Sequence, residues 1–208
     1  MKALFKIWPP LLLAIVVSYF FIDRPLCAFI YTHAWPQLLS PFLDLAGWPP
    51  VMSGLAPFLL FAGLLLKHGR VRETLLLIAL SLLLTFVLKN DLKWIFSRYW
   101  PMTWIHNNPS WISNHAYGFQ WFQGSMFQGN DATGSFPSGH SAIAFATFMP
   151  LGLIYRRTLP FCIAFASLEG LAMVAYDYHF LSDVLAGALI GITCTVAVKE
   201  ILESKSLR

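Results

Sequence analysis

The chain has 208 residues, 57% of them hydrophobic and 12% charged, with a mean hydropathy of +0.63. That balance excludes an ordinary soluble domain and predicts a polytopic membrane protein built as one integral domain over residues 1–208. The formal charge of +4 does not read as a nucleic-acid surface, because the basic residues are scattered at the ends of apolar runs instead of lining one face.

Apolar runs occur at residues 7–22, 50–66, 73–89, 141–155, 158–176 and 184–198. A bilayer-spanning helix needs roughly 17–25 residues, so the expected fold is all-α, with about six transmembrane helices. The first run follows a basic start, Lys2 and Lys6, and ends in Phe20-Phe21-Ile22-Asp23-Arg24. No small-x-small cleavage site follows it, so it reads as an uncleaved anchor and not as a signal peptide. Cys27, Cys162 and Cys194 are widely spaced in apolar sequence and read as small buried hydrophobes, with neither disulfide nor zinc spacing. The sequence contains no internal repeat.

Between the third and fourth runs lies a long connection, about 99–137, carrying Trp100, Trp104, Trp111, Phe119, Trp121, Phe122 and Phe127 among Asn and Gly. Aromatic residues at this density form an interfacial belt, a lid over a lipid, or both. In a six-helix arrangement Lys2, Lys6, Lys67, Arg70, Arg72, Arg156, Arg157, Lys199, Lys205 and Arg208 fall on one side, ten of the fourteen basic residues. That side, with both termini, is predicted to be cytoplasmic, and the long loop lies on the other. The remaining four are Arg24, Lys89, Lys93 and Arg98. Three of them cluster before the long loop, where they either bind an anion or snorkel to headgroups.

Two histidines carry the chemistry. His179 and Asp183 have the i, i+4 spacing that on a helix sets a carboxylate against an imidazole, holding one ring N–H and leaving the other nitrogen free as a nucleophile. His140 lies in Phe136-Pro137-Ser138-Gly139-His140, where Ser138 and Gly139 open an apolar helix. Unpaired backbone N–H groups at such a start bind anions, and Gly permits close approach. Taken singly, Ser138 is equally an N-cap, His140 a packed histidine and His179 with Asp183 a satisfied helix pair. Their combination favours phosphate ester chemistry at a membrane.

The segment Lys93-Trp94-Ile95-Phe96-Ser97-Arg98-Tyr99-Trp100-Pro101, then Pro137-Ser138-Gly139-His140, then His179 and Asp183 followed by Val184-Leu185-Ala186-Gly187, resembles in order the three-part signature of the type-2 phosphatidic acid phosphatase superfamily of integral membrane lipid phosphatases. The resemblance covers about residues 50–200. It implies His179 as the nucleophile that forms a phosphohistidine, Asp183 as its orienting partner and His140 as general acid and base. Lys93, Arg98, Ser138 and the Gly139 N–H would hold the phosphate oxygens. No metal or other cofactor is implied.

Two positions depart from the family pattern. Trp100 stands where an arginine usually precedes the proline, and Ala172-Met173 stands where Ser-Arg usually opens the third motif. Arg grips phosphate oxygens in a bidentate fork that Trp and Met cannot reproduce. Lys89, one turn before Lys93, is an auxiliary candidate, and Glu169 is a second auxiliary position, a carboxylate inside an apolar run that is free to pair with Lys89 or Arg98 or to face substrate. The expected function is hydrolysis of a phosphomonoester or diphosphate on a lipid at the periplasmic face of the inner membrane. The alternatives are transfer of the phosphoryl group to another lipid, or a degenerate member that binds anionic lipid without turnover. The expected partners are the lipid phosphate substrate and membrane lipids, with no nucleic acid and no obligate protein partner evident.

Overall fold

Helix α1 (Lys2–Val17) runs through a π-helical turn, Ser18–Ile22, into α2 (Asp23–Thr32). In this computed structural model residues 2–35, 48–67, 69–104, 107–124 and 131–206 are described. Phe127 of the aromatic loop lies outside them. The π turn is closed by the Asp23 N–H donating to the Ser18 carbonyl. Pro25, which has no N–H, sits where this change of register has already interrupted the regular ladder. The first apolar run therefore does not stop at Ile22, as expected from Asp23-Arg24. It continues as one candidate span, Lys6–Thr32, because Asp23 is buried and paired within the protein.

The remaining helices are α3 (Trp48–Leu65), α4 (Arg70–Phe96), a single turn α5 (Trp111–Asn114), α6 (Gly139–Ile154), α7 (Leu159–Ala175) and α8 (Leu181–Ser206). The described residues contain no β-strand, only two isolated bridges in the long loop. Among the described residues, four helical segments, not the six expected, are long and apolar enough to cross a membrane: Lys6–Thr32, Arg70–Phe96, Arg156–Ala175 and Leu181–Ser204. Val51–Leu65 and Gly139–Ile154 are apolar but shorter. At a rise of about 1.5 Å per residue, α6 extends only about 24 Å.

That short helix is the centre of the bundle, packed against α4, α7 and α8. Its sequence is rich in small residues, and Ser141, Ala142, Ala144 and Ala146 are buried. Facing glycines on α8 let the two backbones approach. A Cβ at Gly187 would lie 2.4 Å from the Ser138 carbonyl oxygen, and one at Gly191 2.4 Å from that of Ala142. Ile143 and Ala146 join Ala56 of α3 and Ile78 and Leu82 of α4 in one apolar cluster. Ile30, Met173, Val174, Tyr176 and Val184 join α2 to the link between α7 and α8 in another.

Since backbone atoms oppose any side chain at position 187, Gly187→Val is expected to displace the start of α6 and to destabilise the protein by about 1–3 kcal/mol, the usual range for overpacking. Thermal unfolding in detergent measures this. Gly54→Ala, where an added Cβ meets nothing within 4 Å, is the control expected to be neutral.

Candidate active site

The same close packing brings the two histidine segments together. Ser138 caps α6, its hydroxyl accepting from the Ser141 N–H at 3.3 Å, while its own N–H donates to the Asp183 carbonyl at 3.0 Å. The Ser141 hydroxyl donates to the Val184 carbonyl at 2.8 Å. The first turn of α6 is thus tied to the first turn of α8, fixing His140 relative to His179. Their ring centroids are 6.0 Å apart.

His179 is not on a helix with Asp183, as the i, i+4 spacing suggested. Helix α7 ends at Ala175 and α8 begins at Leu181, so His179 lies in the turn between them. Its N–H and that of Tyr178 both donate to the Met173 carbonyl, at 3.1 and 3.0 Å. The turn delivers the geometry expected of a helix by another route. Nδ1 of His179 faces Asp183 Oδ2 at 3.7 Å, and the Ser135 hydroxyl bridges them, 2.6 Å from Asp183 and 3.5 Å from His179. Nε2 is the ring nitrogen left for chemistry.

Both rings border a cavity of about 230 Å³, together with Lys89, Lys93, Gly139, Tyr178 and Trp100. Among the described residues, no carboxylate lines it. Lys93 Nζ donates to the Gly134 carbonyl and lies 5.3 Å from the centre of the Trp100 ring. Lys89 Nζ donates to Asn90 Oδ1 at 2.6 Å and passes close to the backbone at Gly139, 3.8 Å from where a Cβ would stand. Two lysine side chains and the N-terminus of α6 therefore converge on one space, an arrangement whose charge and dipole favour an anion. Burial pulls the His179 imidazole below its ordinary range, and Lys93 adds to this while Asp183 opposes it, so the ring is neutral near pH 7. Among the described residues, no group of three or more His, Cys, Asp or Glu side chains is placed to hold a metal ion.

Arg98 is not among the residues lining this cavity. Helix α4 ends with Ser97 in the left-handed conformation, turning the chain so that Arg98 passes behind His179. Its guanidinium, wholly buried, pairs with Asp183 Oδ1 through Nη1 and with Asp23 Oδ2 through Nη2 at 2.8 Å. Nη1 also donates to Ser182 Oγ at 2.6 Å, and Nη2 to Tyr117 Oη at 3.0 Å. Burial works against the Arg98 charge, but Asp183 and Asp23 more than offset it and hold the group above its ordinary range. Ser138 is likewise engaged as a cap and not exposed on the cavity.

Met173, two residues before the end of α7, sits in the apolar cluster with Ile30 and Val184 and is not among the residues lining the cavity. An arginine there has no path along a continued helix to a phosphate beside His179. Glu169 pairs with neither Lys89 nor Arg98: its Oε2 accepts from Trp48 Nε1 at 3.0 Å, at the α3–α7 contact. The aromatic loop serves two surfaces. Trp100 is buried beside His179, and Trp104 Nε1 donates to the Asp177 carbonyl at 3.3 Å, whereas Trp121 and Phe122 are exposed. Sequence reasoning missed Ser135, Ser182, Tyr117 and Asp23. Only Asp23 carried a signal, a charge within an apolar run.

Apolar helices around a buried His179, a half-buried His140 and a recess lined by two lysines define a helical membrane protein. The chain belongs to the PAP2 superfamily, whose pattern matches residues 74–206. It is also similar to proteins named lipid A 1-phosphatase from Rhizobium johnstonii and Rhizobium etli, each 36% identical over 78 residues. That stretch is 38% of this chain and 32% and 34% of those proteins, so the match spans about a third of the length of these curated relatives. No solved structure gives a significant match.

Proposed function

We propose that the protein is a membrane lipid phosphatase that hydrolyses a phosphomonoester or diphosphate on a lipid through a phosphohistidine. The observation that carries this reading is the carboxylate-free cavity on which His179, His140, Lys89 and Lys93 converge. Neutral His179 attacks phosphorus through Nε2, forming the P–N bond as the P–O bond to the lipid breaks. His140, entering the step as the imidazolium that the bound phosphate dianion favours, gives the leaving alkoxide its proton and becomes neutral, then regains one from the water that hydrolyses the phosphohistidine. Asp183, with Ser135 between, holds the Nδ1 proton and stabilises the imidazolium character that develops. Lys93, Lys89 and the N–H groups at Gly139 and His140 hold the phosphate oxygens in this proposal, a role the sequence had divided among Lys93, Arg98, Ser138 and Gly139. Arg98 and Ser138 act from behind, Arg98 through Asp183.

Supporting a periplasmic site, Arg72 and Glu73 of α4 meet Lys199 and Glu203 of α8 at one end of the bundle. Lys93 lies 21 residues further along α4, about 31 Å away at helical rise. Arg72 and Lys199 thus lie toward the end of the bundle away from Lys93, which supports the reading. Residues 110–124 are then labelled from outside in cysteine-accessibility experiments. A lipid-binding member without turnover is the second reading, favoured by Trp100 lining the cavity where the family pattern has arginine.

The deciding experiment is release of inorganic phosphate by the purified protein from phosphatidate, phosphatidylglycerol phosphate, an isoprenyl diphosphate and lipid A, with excess chelator. Turnover of at least one, inhibited by vanadate as a mimic of the in-line transition state, is the expected result. Vanadate binding with no phosphate released from any lipid would favour the binder, and chelator-sensitive turnover would point to a metal-assisted route.

A further inference from the structure

Asp23 belongs to no part of the catalytic signature and lies outside residues 74–206. It is nevertheless 1% exposed and makes four contacts with the layer behind His179. Its Oδ2 pairs with Arg98 Nη2 at 2.8 Å and accepts from the Ser182 hydroxyl and, at 3.4 Å, from Tyr117 Oη. Its Oδ1 accepts from the Ser182 N–H at 3.0 Å, the residue directly before Asp183. A carboxylate in a membrane-spanning helix needs a reason, and a purely structural one is insufficient here because the pair it completes ends on a catalytic group.

The reason follows from counting charge. Asp183 is required as an anion facing His179, yet it is also bonded to Arg98. Alone, Arg98 and Asp183 form a neutral pair, and the histidine loses most of the attraction that stabilises its developing positive charge. With Asp23 on the other side of the guanidinium, the triad Asp23, Arg98 and Asp183 carries one net negative charge. We propose that Asp23 is a positioning residue for the reaction, offsetting Arg98 so that Asp183 keeps its anionic hold on His179. This rests on His179 being the nucleophile.

His179 meets Lys93 of α4, which opposes its protonation, and the ring of His140 of α6, with Lys89 also lining the cavity. Arg98 is covered by the rings of Tyr19, Tyr117, Phe119 and Phe180, whose electron-rich faces suit a cation but carry no charge to replace Asp23. On α2 itself Cys27 and Arg24 are the charged or titratable neighbours, Cys27 facing Asp177 and Arg24 lying over the Tyr117 ring at 5.2 Å, a cation that Asp23→Asn leaves in place. Among the groups that touch Arg98, Asp23 and Asp183 are the two carboxylates.

The test uses the full chain in detergent micelles, with phosphatidate and lipid A as probes, and reads the pH profile of kcat/KM. The acid limb reports protonation of the free enzyme's nucleophile. Asp23→Asn is expected to move that limb down by about one pH unit and to lower kcat about 10–100-fold, with KM within about threefold. Asp23→Asn combined with Arg98→Gln removes one charge of each sign, and is expected to return the limb to its wild-type position and recover most of the turnover. A merely structural role predicts neither the direction nor the recovery.

An unmoved acid limb in folded Asp23→Asn overturns the proposal, whatever happens to kcat. If the single variant does not fold, as judged by thermal unfolding, the double variant decides: a wild-type limb supports the proposal and a displaced limb or lost turnover overturns it. Failure of both to fold assigns Asp23 to the scaffold alone and also overturns it. His179→Ala measured alongside separates the two levels. Turnover surviving in His179→Ala sinks the nucleophile assignment itself, whereas a dead His179→Ala with an indifferent Asp23→Asn sinks only the role given to Asp23.

Discussion

His179→Ala is expected to abolish turnover, by about four orders of magnitude or more, and with it any acid-labile phosphoenzyme. The size follows from removing the attacking atom, which leaves only binding and electrostatic stabilisation to act on the ester. About four orders of magnitude corresponds to roughly 5 kcal/mol of activation free energy, more than a single phosphate-holding donor supplies. His140→Ala should behave differently. It removes the proton donor to the leaving alkoxide, so lipid substrates slow, but p-nitrophenyl phosphate, whose leaving group needs no proton, should still phosphorylate His179. Rapid-quench trapping of the phosphoenzyme with both substrates measures the difference. Equal loss with lipid and activated ester in His140→Ala would argue against its role as the acid, and a phosphoenzyme in His179→Ala would sink the covalent mechanism.

Arg98→Ala is expected to be the most destabilising single change near the site, costing about 3–5 kcal/mol. The guanidinium is 0% exposed and neutralises two carboxylates that are themselves buried, so its removal leaves Asp23 and Asp183 facing each other without a cation. The chain has inexpensive ways to relax only if one carboxylate takes up a proton. Destabilisation should therefore be larger at pH 8 than at pH 5, where protonating one of the pair relieves the repulsion. Thermal unfolding in detergent at the two pH values measures it. Arg98→Lys keeps the charge but not the fork that reaches Asp183, Asp23 and Ser182 together, and should recover only part of the loss. A phosphate-contacting arginine would give the contrary pattern, with normal stability and weakened vanadate binding.

Apolar runs located the helical segments because burying or embedding apolar surface is a local property of about twenty consecutive residues. His140 behind Pro137-Ser138-Gly139 was legible because a helix start has a local signature. The partnership of His179 with Asp183 was legible in its spacing, although the helix imagined between them is a turn. Arg98 was misplaced for a physical reason: basic residue type predicts affinity for anions, but a phosphate and two buried carboxylates satisfy a guanidinium equally well. Only the left-handed turn at Ser97 and the position of α2 decide between them.

By itself, then, the sequence determined the all-helical membrane class and the family, since these rest on composition and on motifs whose parts lie close in the chain. The tertiary structure decided which charges meet. Asp23 and Arg98 are separated by 75 residues, and Ser135 and Asp183 by 48. Their contacts exist because Gly187 and Gly191 let α8 close on α6 and because the π turn carries α2 past Ile22 to the back of the site. A buried ion pair is a property of the space between elements, where strong charge interactions and costly desolvation make the choice of partner depend on a few ångströms that no local pattern encodes.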